Sequence, residues 1–366
     1  MMSDTAILRL RTRARPAPHY TDSIKSLQAE FRRRGWYRRA TGAILVQWAI
    51  LLALTFGGLA IFAFVPSRWI KAIGMLLSVL GTLGISTQAH TASHGAVGGG
   101  SRFNRFLTYL GYPILLGLSV SFWRYKHIVI HHKAPNVDGH DDDIRLLPLF
   151  ALTHEEVARG GPLARFYYRY IQWLVVVPAI ALNGLNTQKW GWGFLLGQMA
   201  RKETRTASHW LDLGALALHL LLWLVLPCLY FPAGLVLLTY LLRMFLVGYG
   251  MFAIFAPAHF PAEAVIADSS QRTVDYVLRQ TATTVNFRTG PLGRLLCAGV
   301  EYQIEHHLFP NFSHVYYPAM SPLVRAYCER HGYPYRTLGW AEGIVKSVLA
   351  FARPRPLVMD LQQCKV

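Results

Sequence analysis

The longest uncharged segment of the chain sets the first constraint on its fold. Residues 41–65, TGAILVQWAILLALTFGGLAIFAFV, contain no ionisable side chain. At 1.5 Å per residue, a helix of this length crosses a hydrocarbon core about 30 Å thick. A backbone inside lipid must satisfy its own hydrogen bonds, which an α-helix does. The segment is therefore predicted to be a transmembrane helix.

Three further segments, 69–89, 211–231 and 233–257, are similar in length and apolar character. Short turns join the four segments in pairs, so they predict two helical hairpins. Only 15% of the residues are charged, well below the roughly 25% of an average soluble domain. The shorter apolar stretches 106–122 and 171–185 contain Gly, Pro or Asn and are expected to be interfacial or re-entrant.

The basic residues predict the orientation of these spans. The first forty residues carry ten of them: Arg9, Arg11, Arg13, Arg15, Lys25, Arg32, Arg33, Arg34, Arg38 and Arg39. The turns predicted on the other side contain only Arg68 and Lys71. Because basic loops stay in the cytoplasm, both termini are predicted to be cytoplasmic. No apolar stretch opens the chain, so no cleavable signal peptide is expected.

The predicted fold is an all-α membrane protein with four transmembrane helices in two hairpins, interfacial helices and a cytoplasmic helical cap. We expect a basic segment at 1–40, a membrane domain at 41–340 and a C-terminal tail at 341–366. Residues 90–210 and 258–340 form the cap in this prediction.

The net charge of +18 raises the question of nucleic-acid binding. The basic residues cluster beside predicted spans, where each contributes about 1 kcal/mol of attraction to anionic lipid headgroups. We therefore expect a membrane-facing surface and no nucleic-acid partner. The same charge would also attract an acidic redox partner. The four cysteines show no CxxC spacing, which suits a reducing compartment.

Spaced histidines collect at the predicted cytoplasmic ends of the spans. The first group, HTASH, contains His90 and His94, and the third, QIEHH, places Gln303, His306 and His307 on one helical face. The second group, HIVIHH, contains His127, His131 and His132, and His259 follows the fourth span. All of these residues are predicted to lie on one side of the membrane.

Neutral imidazole binds iron, copper, zinc and nickel. Eight histidines exceed the four ligands of one zinc ion and indicate two metal ions. The HExxH pattern of zinc proteases is absent from these groups, and the chain has no Glu-x-x-His pair of the kind that soluble di-iron bundles use. We interpret the pattern as an all-histidine pair of redox metals, with iron preferred.

The motifs HTASH, WRYKHIVIHHKAPNVDGHDDDI and YQIEHHLFP resemble, in this order, the three histidine boxes of integral-membrane fatty acid desaturases. Asn136 with the DGHDDD sequence, and a glutamine that opens the third box, are most similar to the linoleoyl-CoA or front-end branch. The resemblance covers about residues 85–340. It implies two iron ions held by the following side chains, with Gln303 as a further candidate: His90, His94, His127, His131, His132, His259, His306 and His307.

The resemblance also implies chemistry and partners. An O2-dependent enzyme would introduce a cis double bond into a long acyl chain, carried by CoA or a lipid. Relatives in this branch often carry a fused cytochrome b5 domain with the sequence HPGG, which this chain lacks. Electrons are therefore expected from a separate donor of the cytochrome b5 or ferredoxin type.

Two positions depart from the family pattern. The second box has three residues between its first two histidines, a spacing shared with membrane alkane hydroxylases. Phe255 occupies a position where stearoyl-CoA desaturases place an asparagine near the metal. A di-iron hydroxylase of an alkyl or acyl chain is thus the alternative enzyme. A transporter with a histidine pathway and a non-catalytic metal-dependent membrane protein are the alternatives from other classes.

Other polar residues have less specific interpretations. We expect no metal binding by His140, His154, His209, His314 or His331. His219 and Arg243 lie inside predicted spans, where ionisable groups usually face the bundle interior. They are predicted to line the inner end of an acyl tunnel or to bond to neighbouring carbonyl groups. Six acidic residues are candidates to accept histidine ring N–H groups: Asp138, Asp141, Asp142, Asp143, Glu301 and Glu305.

Overall fold

A computed structural model of the protein describes residues 22–98 and 100–366. Its α-helices are α1 (Asp22–Arg33), α2 (Thr41–Phe64), α3 (Arg68–Ser93), α4 (Ser101–Tyr109), α5 (Val120–Trp123), α6 (His154–Arg159), α7 (Pro162–Tyr170), α8 (Gln172–Ala181), α9 (Asn183–Ala200), α10 (Ala207–Leu220), α11 (Ala233–Phe255), α12 (Tyr276–Ala282), α13 (Pro291–Cys297), α14 (Gln303–Leu308), α15 (Tyr317–His331) and α16 (Trp340–Ala352). Two short strands, β1 (Asn286–Arg288) and β2 (Thr337–Gly339), pair in parallel.

Four helical segments among the described residues are long and apolar enough to cross a membrane: Thr41–Phe64, Arg68–Ser93, Ala207–Leu229 and Ala233–Ala258. The predicted all-α fold with four spans in two hairpins is confirmed. Several boundaries differ from the prediction. The second span extends to Ser93 instead of residue 89, so His90 lies within its last turn. The third runs from Ala207 to Leu229 instead of 211–231, and after Leu220 a π-helical turn and a 3₁₀ turn containing Pro227 replace the α-helix.

Glycines allow the first hairpin to close tightly. A Cβ atom at Gly58 of α2 would lie 2.5 Å from the carbonyl oxygen of Gly74 in α3, and one at Gly74 would lie 2.7 Å from the carbonyl oxygen of Gly58. Small residues at such contacts let two helix backbones approach each other inside a membrane. The two helices are therefore closely packed, and the histidines of HTASH lie at the C-terminal end of α3.

A sharply bent pair of helical segments follows the first hairpin. Ser101–Leu116 and Val120–Lys133 meet at 115°, which makes the pair a broken span or a re-entrant loop. At the break, Gly117 adopts a φ of +73°, a conformation that favours glycine. The predicted stretch 106–122 thus contains the bend, and its interfacial placement stays a prediction.

A buried carboxylate holds the second arm of this pair. Asp212 of α10 accepts hydrogen bonds from the backbone N–H of Val120 at 3.1 Å and of Ser121 at 2.8 Å, and from the Ser119 hydroxyl at 2.7 Å. A carboxylate stabilises a helix N-terminus by pairing with its unsatisfied N–H groups. This contact orients the segment that carries the second histidine motif, HIVIHH.

The first arm ends in carbonyl groups that side chains of other helices satisfy. The carbonyl oxygen of Ile114 accepts hydrogen bonds from His219 Nδ1 and Trp223 Nε1, both at 3.0 Å. The carbonyl oxygen of Leu116 accepts from Gln188 Nε2 at 2.7 Å. The prediction that His219 bonds to a neighbouring carbonyl group is confirmed.

The first and last described segments of the chain pack against other parts of the structure. Phe31 of α1 is buried with its ring 5.2 Å from that of Phe309 and 5.8 Å from that of Phe312. At the other end, Phe351 of α16 and the later residue Leu361 are both buried. Packing thus continues past residue 340, where the sequence predicted that the membrane domain would end. The predicted division into three segments stays a prediction.

The close approach of α2 and α3 predicts different effects at two adjacent glycines. Gly58→Ala should destabilise the protein by about 1–3 kcal/mol, because the added methyl group overlaps backbone atoms of α3. Gly57→Ala is the matched control, since nothing lies within 4 Å of its Cβ position. Thermal unfolding in detergent measures the difference. Equal melting temperatures in the two variants would contradict the packing described here.

Candidate metal centre

The eight predicted histidines form two adjacent groups. Potential ligand atoms of the first group lie within 4.8 Å of one another, and the same holds for the second group. The first group is His90, His94, His127, His132 and His306, and the second is His131, His259 and His307. The rings of His132 and His307 stack at 4.5 Å between centroids and so join the two groups. The structure therefore brings together all eight histidines that the sequence singled out.

The nitrogen positions in the first group suit a shared metal ion. His127 Nε2 lies 2.8 Å from His90 Nε2 and 3.0 Å from His132 Nε2, and His306 Nε2 lies 3.1 Å from His132 Nε2. Two nitrogens bound at right angles to one metal at about 2.1 Å would be about 3.0 Å apart. The rings already have the separation that coordination requires.

Irregular helical turns position the second histidine motif of the sequence, HIVIHH. A π-helical stretch, Arg124–Ile130, leads into a 3₁₀ turn, His131–Lys133. Single π-helical turns often occur at functional sites because they redirect side chains. The rings of His127 and His131 stack at 5.2 Å between centroids. His127 belongs to the group of five and His131 to the group of three, and with Asp143 the two also form a smaller cluster of potential ligand atoms.

The third histidine motif of the sequence, QIEHH, contributes to both groups of ligand atoms. In α14, His306 joins the first group and His307 joins the second. Gln303, one helical turn before His307, has its Nε2 atom 2.8 Å from His259 Nε2 and 3.1 Å from His307 Nε2. Its Oε1 atom is buried without a hydrogen-bond partner among the described residues. Rotation of the amide by 180° would direct this oxygen toward a metal ion bound by the second group.

Carboxylates orient one of the histidines. His131 Nδ1 lies 2.9 Å from Asp141 Oδ2 and 3.2 Å from Asp143 Oδ2. Such contacts fix the proton on Nδ1 and leave Nε2 free to bind a metal. Asp141 is held in turn by the backbone N–H of Asn136 at 2.8 Å, and the Asn136 side chain donates to the carbonyl oxygen of His259 at 2.7 Å. Two of the six predicted acidic partners therefore contact a histidine ring.

Other acidic residues of that set have different partners. Glu305 accepts hydrogen bonds from Tyr335 at 2.6 Å and from Asn286 at 2.8 Å, and so fixes α14 to β1. Glu301 accepts from the backbone N–H of Gly299 at 2.9 Å, and burial raises its pKa to about 7. Asp142 pairs with Arg145 at the surface. These contacts shape the cap without orienting an imidazole.

Sequence reasoning missed Gln280 of α12. This fully buried residue accepts a hydrogen bond from His307 Nδ1 at 2.8 Å and donates one from Nε2 to the carbonyl oxygen of His132 at 3.0 Å. It links His132 of the second histidine motif to His307 of the third and lies 148 residues after His132 in the sequence. A lone glutamine in a short helix gives no sequence signal of such a role.

Burial keeps the histidines in the neutral form that binds metal. Desolvation lowers the pKa of His259 to about 3 and lowers the pKa values of His306 and His307 well below their usual range. Neutral imidazole is the metal-binding form. His259, His306 and His307 are therefore uncharged at neutral pH and available as ligands. At His131, by contrast, desolvation is outweighed by the Asp141 and Asp143 carboxylates, which raise the pKa.

The remaining histidines have structural contacts. His209 contacts the N-terminal end of α10 through Thr206, and the His331 ring lies 4.6 Å from the Tyr327 ring at the end of α15. His314 is buried, with Nε2 3.0 Å from Gln47 Oε1. Neither these residues nor His140 and His154 belong to a metal-binding group in the described part of the chain.

Known proteins resemble this chain over most of its length. The family model for fatty acid desaturase matches residues 66–339. The Delta(8)-fatty-acid desaturase of Euglena gracilis is 30% identical over 247 residues, which are 65% of this chain and 58% of that protein. The alignment thus spans little more than half of the Euglena protein.

Other relatives align over more of their length. The sn-1 linoleoyl-lipid 6-desaturase of Arthrospira platensis is 28% identical over 309 residues, 78% of each chain. The Delta(8)-fatty-acid desaturase 2 of Arabidopsis thaliana is 26% identical over 348 residues, 88% of this chain and 72% of that protein. The names support the front-end branch that the histidine motifs indicated.

The position of Gln280 predicts that it supports metal binding without contacting metal. Gln280→Leu should lower metal affinity about 10- to 100-fold, because His307 loses the acceptor that fixes its ring. Iron retained after titration with a chelator measures the change. Gln363→Leu, at an exposed glutamine, is the control. Unchanged iron retention in a folded Gln280→Leu protein would refute this role.

Proposed function

The chain belongs to the fatty acid desaturase family, and from this premise we propose that it uses O2 and two bound iron ions to introduce a cis double bond into a long acyl chain. The proposed ligands are the eight histidines of the two groups, with Gln303 at the second group. The observation that carries this proposal is the convergence of five and three imidazole rings in adjacent groups, seven of them buried.

Bound iron would supply the redox chemistry that converts O2 into an oxidant able to remove hydrogen from an unactivated methylene. The balanced reaction consumes the acyl chain, O2, two electrons and two protons, and yields the alkene and two waters. The protein's own residues fix ring orientation. Asp141 keeps a proton on His131 Nδ1, and Gln280 accepts a hydrogen bond from His307 Nδ1.

Burial of the centre supports this chemistry. Seven of the eight histidines are buried, and the aromatic rings of Trp123 and Phe255 lie 5.6 and 6.2 Å from that of His90. An apolar wall around the centre would admit a methylene chain and exclude water. Desaturation requires the reacting carbons to be positioned within about an ångström, since near-attack geometry controls reactivity.

The substrate and partners are proposed from the relatives and the charge pattern. The names of the Arthrospira protein and of the Physcomitrium patens acyl-lipid (8-3)-desaturase refer to lipid-bound acyl chains. We infer a membrane lipid as the carrier of the acyl chain. The basic residues among the first forty support a cytoplasmic position for the termini and the centre. A separate donor of the cytochrome b5 or ferredoxin type would deliver the electrons there.

Expression in a host that lacks the activity tests the proposal. Mass analysis of the host lipids should show acyl chains lighter by two hydrogens, and the double bond should appear in lipid-bound chains before free acyl-CoA. A gain of one oxygen instead would identify the alternative, a hydroxylase. Lipids that stay unchanged in every available chain length and carrier would contradict both.

Replacement of a proposed ligand provides the matched variant. His306→Ala should reduce product formation at least 100-fold and lower the iron content, because a group of five imidazoles loses one member. His331→Ala, at an exposed histidine, should leave both unchanged. Normal iron content and product in the His306→Ala protein would remove this residue from the ligand set.

A further inference from the structure

A second site lies between the two hairpins, in the half of the spans farthest from the histidines. It is a cavity of about 560 Å³, within the range of about 300–1,000 Å³ of small-molecule sites. Phe56 and Leu59 of α2 form one wall, and Trp223 and Val236 of the second hairpin form the other. Arg243 lies at its inner end.

This cavity is separate from the metal centre. Arg243 precedes His259 by sixteen residues along α11 and its last turn, which corresponds to about 24 Å at 1.5 Å per residue. Measured from the other end of α11, Arg243 follows Ala233 by ten residues, or about 15 Å. That distance is half the thickness of a hydrocarbon core. The guanidinium group is therefore near the membrane midplane.

Arg243 lacks a counter-charge among the described residues. Its side chain is 1% exposed, Nη2 donates to the Thr82 hydroxyl at 2.5 Å, and the guanidinium carbon lies 4.0 Å from the centre of the Trp223 ring. Nε and Nη1 are buried with no hydrogen-bond partner in the described part of the chain. A charge at this depth is costly unless an anion or strong acceptors satisfy it. One hydroxyl and one aromatic ring leave two donors unsatisfied.

We propose that the cavity binds a single-chain anionic amphiphile, a long-chain fatty acid, whose carboxylate pairs with Arg243. A carboxylate pairs well with a guanidinium group, and it would supply the missing counter-charge and accept a hydrogen bond from a donor that lacks a partner. The apolar walls at Phe56, Leu59 and Val236 accommodate the alkyl chain. This occupant neutralises the buried charge and fills the space between the hairpins.

The surroundings favour an amphiphile over a small soluble anion. Phe56 and Leu222 line the cavity and are 50% and 40% exposed, on the surfaces of spans that face lipid. The cavity thus opens toward the hydrocarbon of the membrane. Lys71 at the outer end already donates to the carbonyl oxygens of Phe62 at 2.9 Å and Ala63 at 3.3 Å. Arg243 is therefore the cation that still requires a partner.

The test uses the full-length protein in non-ionic detergent and a palmitate analogue with a photoactivatable diazirine in its chain. Saturable labelling should map to peptides that contain Leu59 or Trp223, and unlabelled palmitate should compete. Hexadecanol, which has the chain without the charge, should compete at least tenfold less well. Arg243→Leu should weaken labelling at least tenfold. Arg68→Leu, which removes an exposed cation of the first hairpin, should leave it unchanged.

Several results would overturn the proposal. These are equal competition by hexadecanol, competition by sodium acetate alone, unchanged labelling of Arg243→Leu, or labelling confined to peptides of the histidine groups. Should Arg243→Leu fail to fold, Leu59→Trp fills the cavity while keeping the arginine, and full labelling of that variant would also refute the site. The readout does not depend on iron or turnover, so it is independent of the proposed desaturation.

Discussion

The absence of hydrogen-bonding partners in lipid governs this structure. Continuous helices satisfy their own backbone, but the bent pair of segments around Gly117 exposes carbonyl and N–H groups. His219, Trp223 and Gln188 satisfy the carbonyls on one side of the bend, and Asp212 satisfies the N–H groups on the other. Polar residues of α9 and the second hairpin thus satisfy the backbone groups that the bend leaves without partners.

That bend positions the chemistry. It directs the segment Val120–Lys133 back toward the end of α3, so that the histidines of HIVIHH lie close to those of HTASH. Gln280 and Asp141 then fix individual rings from outside the groups. Hydrogen bonds from residues outside the ligand set therefore fix the ring orientations of His131 and His307.

The two hairpins provide two different environments at their two ends. At one end of the spans, histidine side chains from four segments of the chain lie together, and most of them are buried. At the other, the hairpins separate around a cavity that contains one buried cation, Arg243. The same spans that support the histidine groups thus leave a cavity between the hairpins at the other end. Membrane helices can contain both features because residues that face the bundle interior can be polar without contacting lipid.

The sequence by itself determined the four spans, their pairing and the identity of the clustered histidines, because long uncharged runs and spaced imidazoles are local patterns. It also indicated that His219 and Arg243 face the interior. It did not reveal the role of Gln280, the hydrogen bonds from Asp212 to the helix N-terminus at Val120, or the division of eight histidines into groups of five and three. Only the tertiary structure decided these features, since each depends on contacts between residues far apart in the chain. A buried glutamine or aspartate acquires its role from the partner that folding brings to it.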